Sequence, residues 1–395
     1  MKIVIVTHCP PLPSWGGAMT FYRHFIERPE FETLVFTSNE QVGEQHLGYS
    51  PQMHRLPGWW RRLTRTRLSP WLHSFQSLKG HYFLNSDLTK DARAFRPDAV
   101  FTVAGNWDWT ALAAQRLARQ LEVPLIASFN DWFDYGAFPA GNKFKAAIEA
   151  RFRTFYQEAD MALCTCEGMQ EALGEHRNVH IWYPTGALIS PEPDSYTPVI
   201  ASPDRPLTVF FGGSLGDWYG PMLESLVIYC QEHEPIIRFK IYGALETWTD
   251  EFDSWARKNG VFGGHIPFEK LRQRASEADL LLLPMGFEEK CAHVERTSFK
   301  TKFLDYLSFK RPILVWGPEY CSAVKVAREF DSAECVMERG AQACGKMLAS
   351  LAANPARRME LISNAHRMYE ARFHPDKIHQ GLLQKVHELV ELKNN

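Results

Sequence analysis

Short β-branched and leucine-rich runs alternate with amphipathic stretches along almost the whole chain. The runs Lys2–Val6, Thr33–Phe36, Ala99–Val103, Pro124–Ser128 and Met161–Cys164 predict strands. Helical patterns over Trp109–Gln120 and Lys143–Gln157 fall between them. The rhythm restarts with Leu207–Phe211, Arg238–Tyr242, Leu280–Leu283 and Ile313–Trp316. Helical patterns over Met222–Glu232, Trp248–Lys258, Lys270–Glu277 and Ser298–Phe309 interleave with these. Strand–helix alternation on this spacing predicts an α/β protein whose parallel sheets are covered by helices on both faces.

Between the two rhythms, Pro184 to Pro206 holds six prolines and no helical periodicity. Proline fixes φ and removes a donor, so this stretch reads as a connection. The expected organisation is a Rossmann-like half over 1–190, a linker over 191–206, a second Rossmann-like half over 207–372 and a final helix over 373–395. Ile378, Leu382, Leu383, Val386, Leu389 and Val390 give that helix one apolar stripe. The stripe needs a partner, and the first half is a candidate, although periodicity alone does not choose.

One region interrupts the pattern. Residues 54–78 interleave Arg55, Arg61, Arg62, Arg65 and Arg67 with Trp59, Trp60 and Trp71. Two readings stand. One is a basic aromatic surface for an anionic acceptor or a membrane interface. The other is an inserted helical hairpin whose tryptophans pack and whose arginines are solvated.

Composition narrows the classes. Of 395 residues, 45% are hydrophobic and 23% charged, and 44 Lys and Arg against 46 Asp and Glu give a formal charge of -2. A protein that coats nucleic acid non-specifically needs a basic excess that is absent here. The 26 Phe, 13 Tyr and 12 Trp exclude a disordered chain. The eight cysteines are scattered apart from Cys164 and Cys166, a poor zinc pattern, and are expected as buried thiols. The opening MKIVIVTHCPP reads as a first strand rather than a signal peptide, and no run approaches the ~18 apolar residues of a membrane span. The expectation is a cytoplasmic protein, with peripheral membrane contact through 54–78 as an option.

Candidate chemistry concentrates in two stretches. Over Ser298–Pro318, helical spacing puts Ser298, Thr301, Lys302 and Asp305 on one face and Phe299, Phe303, Tyr306 and Leu307 on the other. Lys302 could neutralise a phosphate and Asp305 could accept from a vicinal diol, or the two could form a surface i, i+3 ion pair. Over Phe210–Gly220, Gly212, Gly213 and Gly216 directly follow a strand and suit close backbone approach to a phosphate. The spacing is neither the dinucleotide fingerprint nor the P-loop, and taken alone the element reads better as a tight turn between strand and helix.

Together these stretches resemble the donor-binding half of GT-B glycosyltransferases, in the large group similar to the family-four retaining enzymes. The resemblance lies in Lys302, Asp305, Tyr306 and Leu307, then Lys310-Arg311-Pro312-Ile313-Leu314, where the group has G-x-P-[IV]-L, and Gly317-Pro318. Gly260 to Leu271, including His265 and Ile266, resembles the segment beside the nucleotide base. Ala278-Asp279-Leu280 to Pro284 resembles the group's A-D strand. In the first half, Gly16-Gly17 resembles the paired glycines near acceptor and phosphate. Ala159-Asp160, Cys166-Glu167-Gly168-Met169 and Tyr183-Pro184-Thr185-Gly186 resemble three further segments.

Three positions depart from the group. Thr297 stands where a sugar-reading glutamate is frequent, with Glu288 and Glu289 as candidate substitutes. Ser214 stands where arginine is frequent, and Asn130-Asp131 where the group often has His-Asp.

The resemblance implies two Rossmann-like domains facing across a cleft and transfer from a nucleotide-diphosphate sugar to an acceptor hydroxyl. It further implies retention of configuration and synthesis of a glycan, polysaccharide or glycoconjugate. The acceptor would be a glycan, a lipid-linked molecule or a small molecule. Lys302, the Ser298–Lys300 helix start, Thr301 and the amides of Gly212, Gly213, Ser214 and Leu215 would meet the donor. Asp305 would hold the ribose, and Asn130 and Asp131 would face the sugar. No D-x-D occurs at a strand end, so no metal or other cofactor is expected. Rival expectations are a nucleotide-sugar epimerase of the same fold and a catalytically silent nucleotide-binding scaffold.

Overall fold

The computed structural model describes residues 1–13, 16–40, 48–105, 107–134, 140–187, 196–216, 218–244 and 247–394. Part of the expected linker, 191–195, lies outside them. The chain forms two compact units. The first comprises Met1–Thr185, Thr297–Phe299 and Asp376–Asn395, and the second Gly186–Arg296 and Lys300–Pro375.

The first unit holds strands β1 (Lys2–Thr7), β2 (Glu32–Thr37), β3 (Gln52–Met53), β4 (Ala99–Val103), β5 (Leu125–Phe129), β6 (Met161–Cys164) and β7 (Val179–Ile181). They form one parallel sheet in the order β3-β2-β1-β4-β5-β6-β7. The strands β4, β5 and β6 are buried at every position, as expected of a sheet covered on both faces. Helix Trp109–Leu121 begins where the Asp108 carboxylate accepts the Thr110 N–H at 2.6 Å. The final helix, Pro375–Asn394, lays Leu382, Val386 and Leu389 against Phe21, Phe25, Phe31 and Trp182.

The second unit holds β8 (Leu207–Gly212), β9 (Ile237–Tyr242), β10 (Leu280–Pro284), β11 (Ile313–Trp316) and β12 (Glu334–Val336). These pair in parallel in the order β12-β11-β10-β8-β9. Its core sets Val209, Phe211 and Leu282 against Leu223, Leu226 and Trp248. Residues from 196 onward are tied to this unit: the Tyr196 hydroxyl donates to the Asp279 carbonyl at 2.9 Å, and the Ala201 N–H to the Ala352 carbonyl at 3.0 Å.

Strand order reverses between β1 and β4 in one unit and between β8 and β10 in the other. In open parallel sheets, ligands bind beyond the carboxyl ends of strands at such reversals. Each reversal therefore directs attention to two loops.

The expected helix over Ser298–Phe309 is shorter, Thr301–Leu307. Ser298 and Phe299 lie outside it and belong to the first unit, so the single polar face with Ser298 as a member does not exist. The small strands β3, β7 and β12 carry too few residues to show periodicity. All eight cysteines are free thiols, six of them buried.

Candidate active site

In the second unit, the loops after β8 and β10 meet the segment Lys300–Asp305. Gly213 adopts φ +153°, outside the range side-chain-bearing residues favour. A Cβ there would collide with the Lys302 ammonium, and one on Gly243 would collide with the Gly213 carbonyl. Only glycines let these two loop backbones and the lysine share the space.

Lys302 is half-buried rather than displayed on a solvated face. Its Nζ stands 4.2 Å from the centre of the Phe211 ring and 5.7 Å from that of Tyr219. Among the described residues, no carboxylate pairs with it. Burial is the main cause that lowers its pKa to about 7. The neighbouring Lys300 charge adds to this, and the Asp305 and Glu295 charges oppose it. An anion placed there would regain the charge that the site now resists.

Three of the four amides expected to face the donor are committed within the unit. The Gly212 N–H donates to the Tyr306 hydroxyl at 3.1 Å. The Gly213 N–H donates to the Tyr242 carbonyl and the Leu215 N–H to the Ala244 carbonyl, both at 2.9 Å. Of these four, the exposed Ser214 has an N–H with no acceptor among the described residues. The segments after β8 and β9 continue to pair and take the Gly213 and Leu215 amides, and the Tyr306 hydroxyl takes that of Gly212.

Asp305 is half-buried, and its Oδ1 accepts the Ala187 N–H at 3.1 Å. A Cβ on Gly186 would meet the Leu304 backbone at 2.8 Å, so the chain at Gly186 runs tight against this helix. His265 is exposed and Ile266 half-buried, directly after Gly264, whose carbonyl accepts the Gly243 N–H at 2.9 Å. Thr301 is half-buried at the first helical position.

Glu288 and Glu289 are not the carboxylates held against this loop cluster. Glu288 is ion-paired with Arg339, and Glu289 is exposed at the start of helix Glu289–Thr297. The residue missed is Glu295, which is fully buried. Its Oε1 accepts the Gly286 N–H at 3.0 Å and the Tyr219 hydroxyl at 3.2 Å, while Oε2 lies 3.5 Å from the Lys300 ammonium. It thereby ties the loop after β8, the loop after β10 and Lys300 together. A sequence signal existed: Glu295 lies four residues after Cys291 and one after Val294, both buried, so a carboxylate occupies the apolar side of its helix.

In the first unit, the loops after β1, β4 and β5 converge on Asp131. A Cβ on Gly105 would meet the Asp131 nitrogen at 2.9 Å. The Ser298 hydroxyl donates to Asp131 Oδ1 at 2.8 Å, and the Ser128 hydroxyl to Asn130 Oδ1 at 2.6 Å. The Cys9 thiol beside them is pushed up to about 12, first by burial and then by the Asp131 charge. Thr297 is buried, and its carbonyl accepts from the Cys166 thiol at 3.2 Å. Gly16, at φ +51°, and Gly17 open helix Gly16–Phe25, and nothing described lies within 4 Å of a Cβ on either. His8 was not anticipated. It sits exposed just beyond β1, with Nδ1 2.9 Å from the Ser38 hydroxyl and 3.8 Å from Asp108.

Residues 20–185 match Glycosyltransferase Family 4. No curated protein matches the chain by sequence. Among solved structures it is similar to HepE of Anabaena in complex with UDP, at 13% identity and a TM-score of 0.65, over 98% of this chain and 100% of that one. Sucrose-phosphate synthase from Thermosynechococcus elongatus gives 12% identity and a TM-score of 0.63, over 99% of each chain. Trehalose 6-phosphate synthase from Burkholderia multivorans gives 10% and 0.61, over 100% of this chain and 98% of that one. The fold is that of GT-B proteins, with two Rossmann-like domains. The matched segment, 20–185, supports a relationship to family four and glycosyl transfer as the chemistry.

Proposed function

We propose that this chain moves a sugar from a nucleotide-diphosphate sugar to an acceptor hydroxyl. In this reading transfer proceeds with retention and without a metal ion, in glycan, polysaccharide or glycoconjugate synthesis. The observation that carries the reading is Lys302 against Gly213, with the Lys300 charge acting on it, at the strand reversal of the second unit. A cation against backbone bare of side chains, with a second charge near it, suits a diphosphate. The solved UDP complexes of HepE, one also with glucose, support a nucleotide donor.

In this mechanism the bond from the sugar C1 to the diphosphate oxygen breaks while the acceptor oxygen bonds to C1. The acceptor's proton passes to the departing phosphate oxygen, so no protein base is required. Lys302, Lys300 and the Ser214 N–H stabilise the charge that grows on the leaving group. Asp305 takes the ribose hydroxyls, His265 and Ile266 flank the base, and Asn130 and Asp131 take the sugar. Gly16 and Gly17 leave backbone open to acceptor or phosphate.

The test is incubation with a panel of nucleotide-diphosphate sugars, with and without candidate acceptor hydroxyls, in the presence of chelator. Acceptor-dependent release of nucleotide diphosphate is the expected result. Donor isomerised without acceptor would replace the reading with an epimerase. Donor bound without turnover under any acceptor would replace it with a silent homologue.

A further inference from the structure

Helix Ser69–Lys79 in the first unit is built inside out. It buries Ser74, Gln76 and Ser77, and exposes Leu68, just before its start, with Trp71 and Phe75 at i+3 and i+7 on one stripe. On the buried side the Ser77 carbonyl accepts the Trp107 indole N–H at 2.8 Å and the Ser74 hydroxyl donates to the Pro70 carbonyl at 2.6 Å, while Gln76 Nε2 has no partner among the described residues. Trp59, on the preceding short helix, is 60% exposed and Trp71 54%. Six of the twelve exposed large hydrophobic side chains among the described residues lie between 59 and 82. Ring contacts link three of them through the buried Trp60: Trp59 meets Trp60, Trp60 meets Phe75, and Phe75 stacks on Tyr82, while Trp71 packs on Phe144. Scattered apolar residues are ordinary, but a connected aromatic ridge is not.

The same stretch is uniformly basic. Pro51 to Ser86 contains no Asp or Glu. Arg61, Arg62, Arg65 and Arg67 are all exposed. Arg61 pairs with Glu40, whereas among the described residues no carboxylate pairs with Arg62, Arg65 or Arg67. Lys143 adds a cation 4.6 Å from the centre of the Trp71 ring.

We propose that the exposed face of residues 59–82 docks on an anionic lipid bilayer, its aromatic ridge in the headgroup layer and its arginines on the phosphates. Charge disfavours a symmetric second copy, because the interface would bring two basic faces together. The aromatic ridge gains nothing from a dissolved anion but gains burial at a lipid interface. The inference stands on this face alone and does not depend on the donor assignment.

The experiment is co-sedimentation of the full chain with vesicles of phosphatidylcholine alone, or of phosphatidylcholine and phosphatidylglycerol in equal parts. Binding to the mixed vesicles only is expected, weakening as salt shortens the screening length. Arg62→Gln, Arg65→Gln and Arg67→Gln together should lower partitioning on the order of 100-fold, at about fivefold per arginine. Trp59→Ser with Trp71→Ser should also lower it, with unchanged circular dichroism and thermal midpoint. Equal pelleting on both vesicles, pelleting on neither, or indifference to both variant sets overturns the proposal. Arginine-dependent binding to soluble polyphosphate without vesicle binding also overturns it. So does concentration-dependent self-association lost in the tryptophan variant without vesicle binding.

Discussion

The ammonium of Lys302 fills the space that a Cβ on Gly213 would need. The two residues are 89 positions apart by number, yet each fixes what the other can be. If this pair receives the donor diphosphate, Lys302→Met should weaken nucleotide-diphosphate binding by on the order of 10- to 100-fold, the loss of one charge-assisted contact. Gly213→Ala should weaken it comparably by displacing the lysine. Isothermal titration with UDP-type ligands checks both, with thermal midpoints as control. Unchanged affinity in both variants would remove the donor from this site.

The same lysine predicts a pH dependence. Its pKa is lowered to about 7 in the free protein, chiefly by burial. A bound diphosphate favours the charged form, so binding above pH 7 must take up a proton. Affinity should therefore be level below pH 7 and fall above it, by at most about tenfold per unit. The folding linkage runs the opposite way. Between about 7 and the ordinary lysine value the unfolded chain holds more protons, so unliganded stability rises with pH through that window. Calorimetry at pH 8 in buffers of different ionisation enthalpy reads the uptake directly, and Lys302→Met should abolish it.

The alternation of strands and helices was legible because buried parallel strands are runs of Val, Ile, Leu and Phe, and β4, β5, β10 and β11 are such runs. Lys302 and Asp305 were legible as a polar pair on an aromatic helix. Their surroundings were not, because the burial of Lys302 is set by Phe211 and Tyr219, far away in sequence. Ser298 was misplaced on a helix because periodicity cannot show where a helix is capped. Lys310 shows how a departure becomes readable afterwards. It adopts φ +50° where the resembling pattern has glycine. Lys310→Gly should therefore raise stability by about 1 kcal/mol in denaturant titration.

Acid should loosen the first unit. His54 is lowered to about 4, mainly by burial, with its bond to the Phe83 carbonyl opposing. His24 and His379, with Nδ1 atoms 3.1 Å apart, are lowered as well, first by burial. For a histidine with a depressed folded value, the unfolded chain takes protons first. Stability is then whole above about 6.5 and is lost as pH falls below it, at most about 1.4 kcal/mol per unit for each group. The thermal midpoint should drop between pH 7 and pH 5. His54→Gln should make that drop shallower, which a pH series of calorimetric scans would show.

Glu295 offers the sharpest separation of charge from packing. Its carboxylate accepts from Gly286 and Tyr219 and faces Lys300 while fully buried. Glu295→Ala leaves those two donors and the ammonium without their acceptor, and breaking such a buried pair costs about 3–5 kcal/mol. Glu295→Gln keeps an oxygen for Gly286 and Tyr219 but removes the charge. The glutamine variant should therefore fold nearly as well as the parent, since its loops remain tied. With the Glu295 charge gone, the Lys302 pKa should move further down, so the fall in donor affinity should begin at lower pH. A donor KM profile against pH, run on parent and Glu295→Gln, checks this. A displaced profile at unchanged thermal midpoint assigns the carboxylate to tuning Lys302, whereas an unmoved profile reduces it to a loop staple.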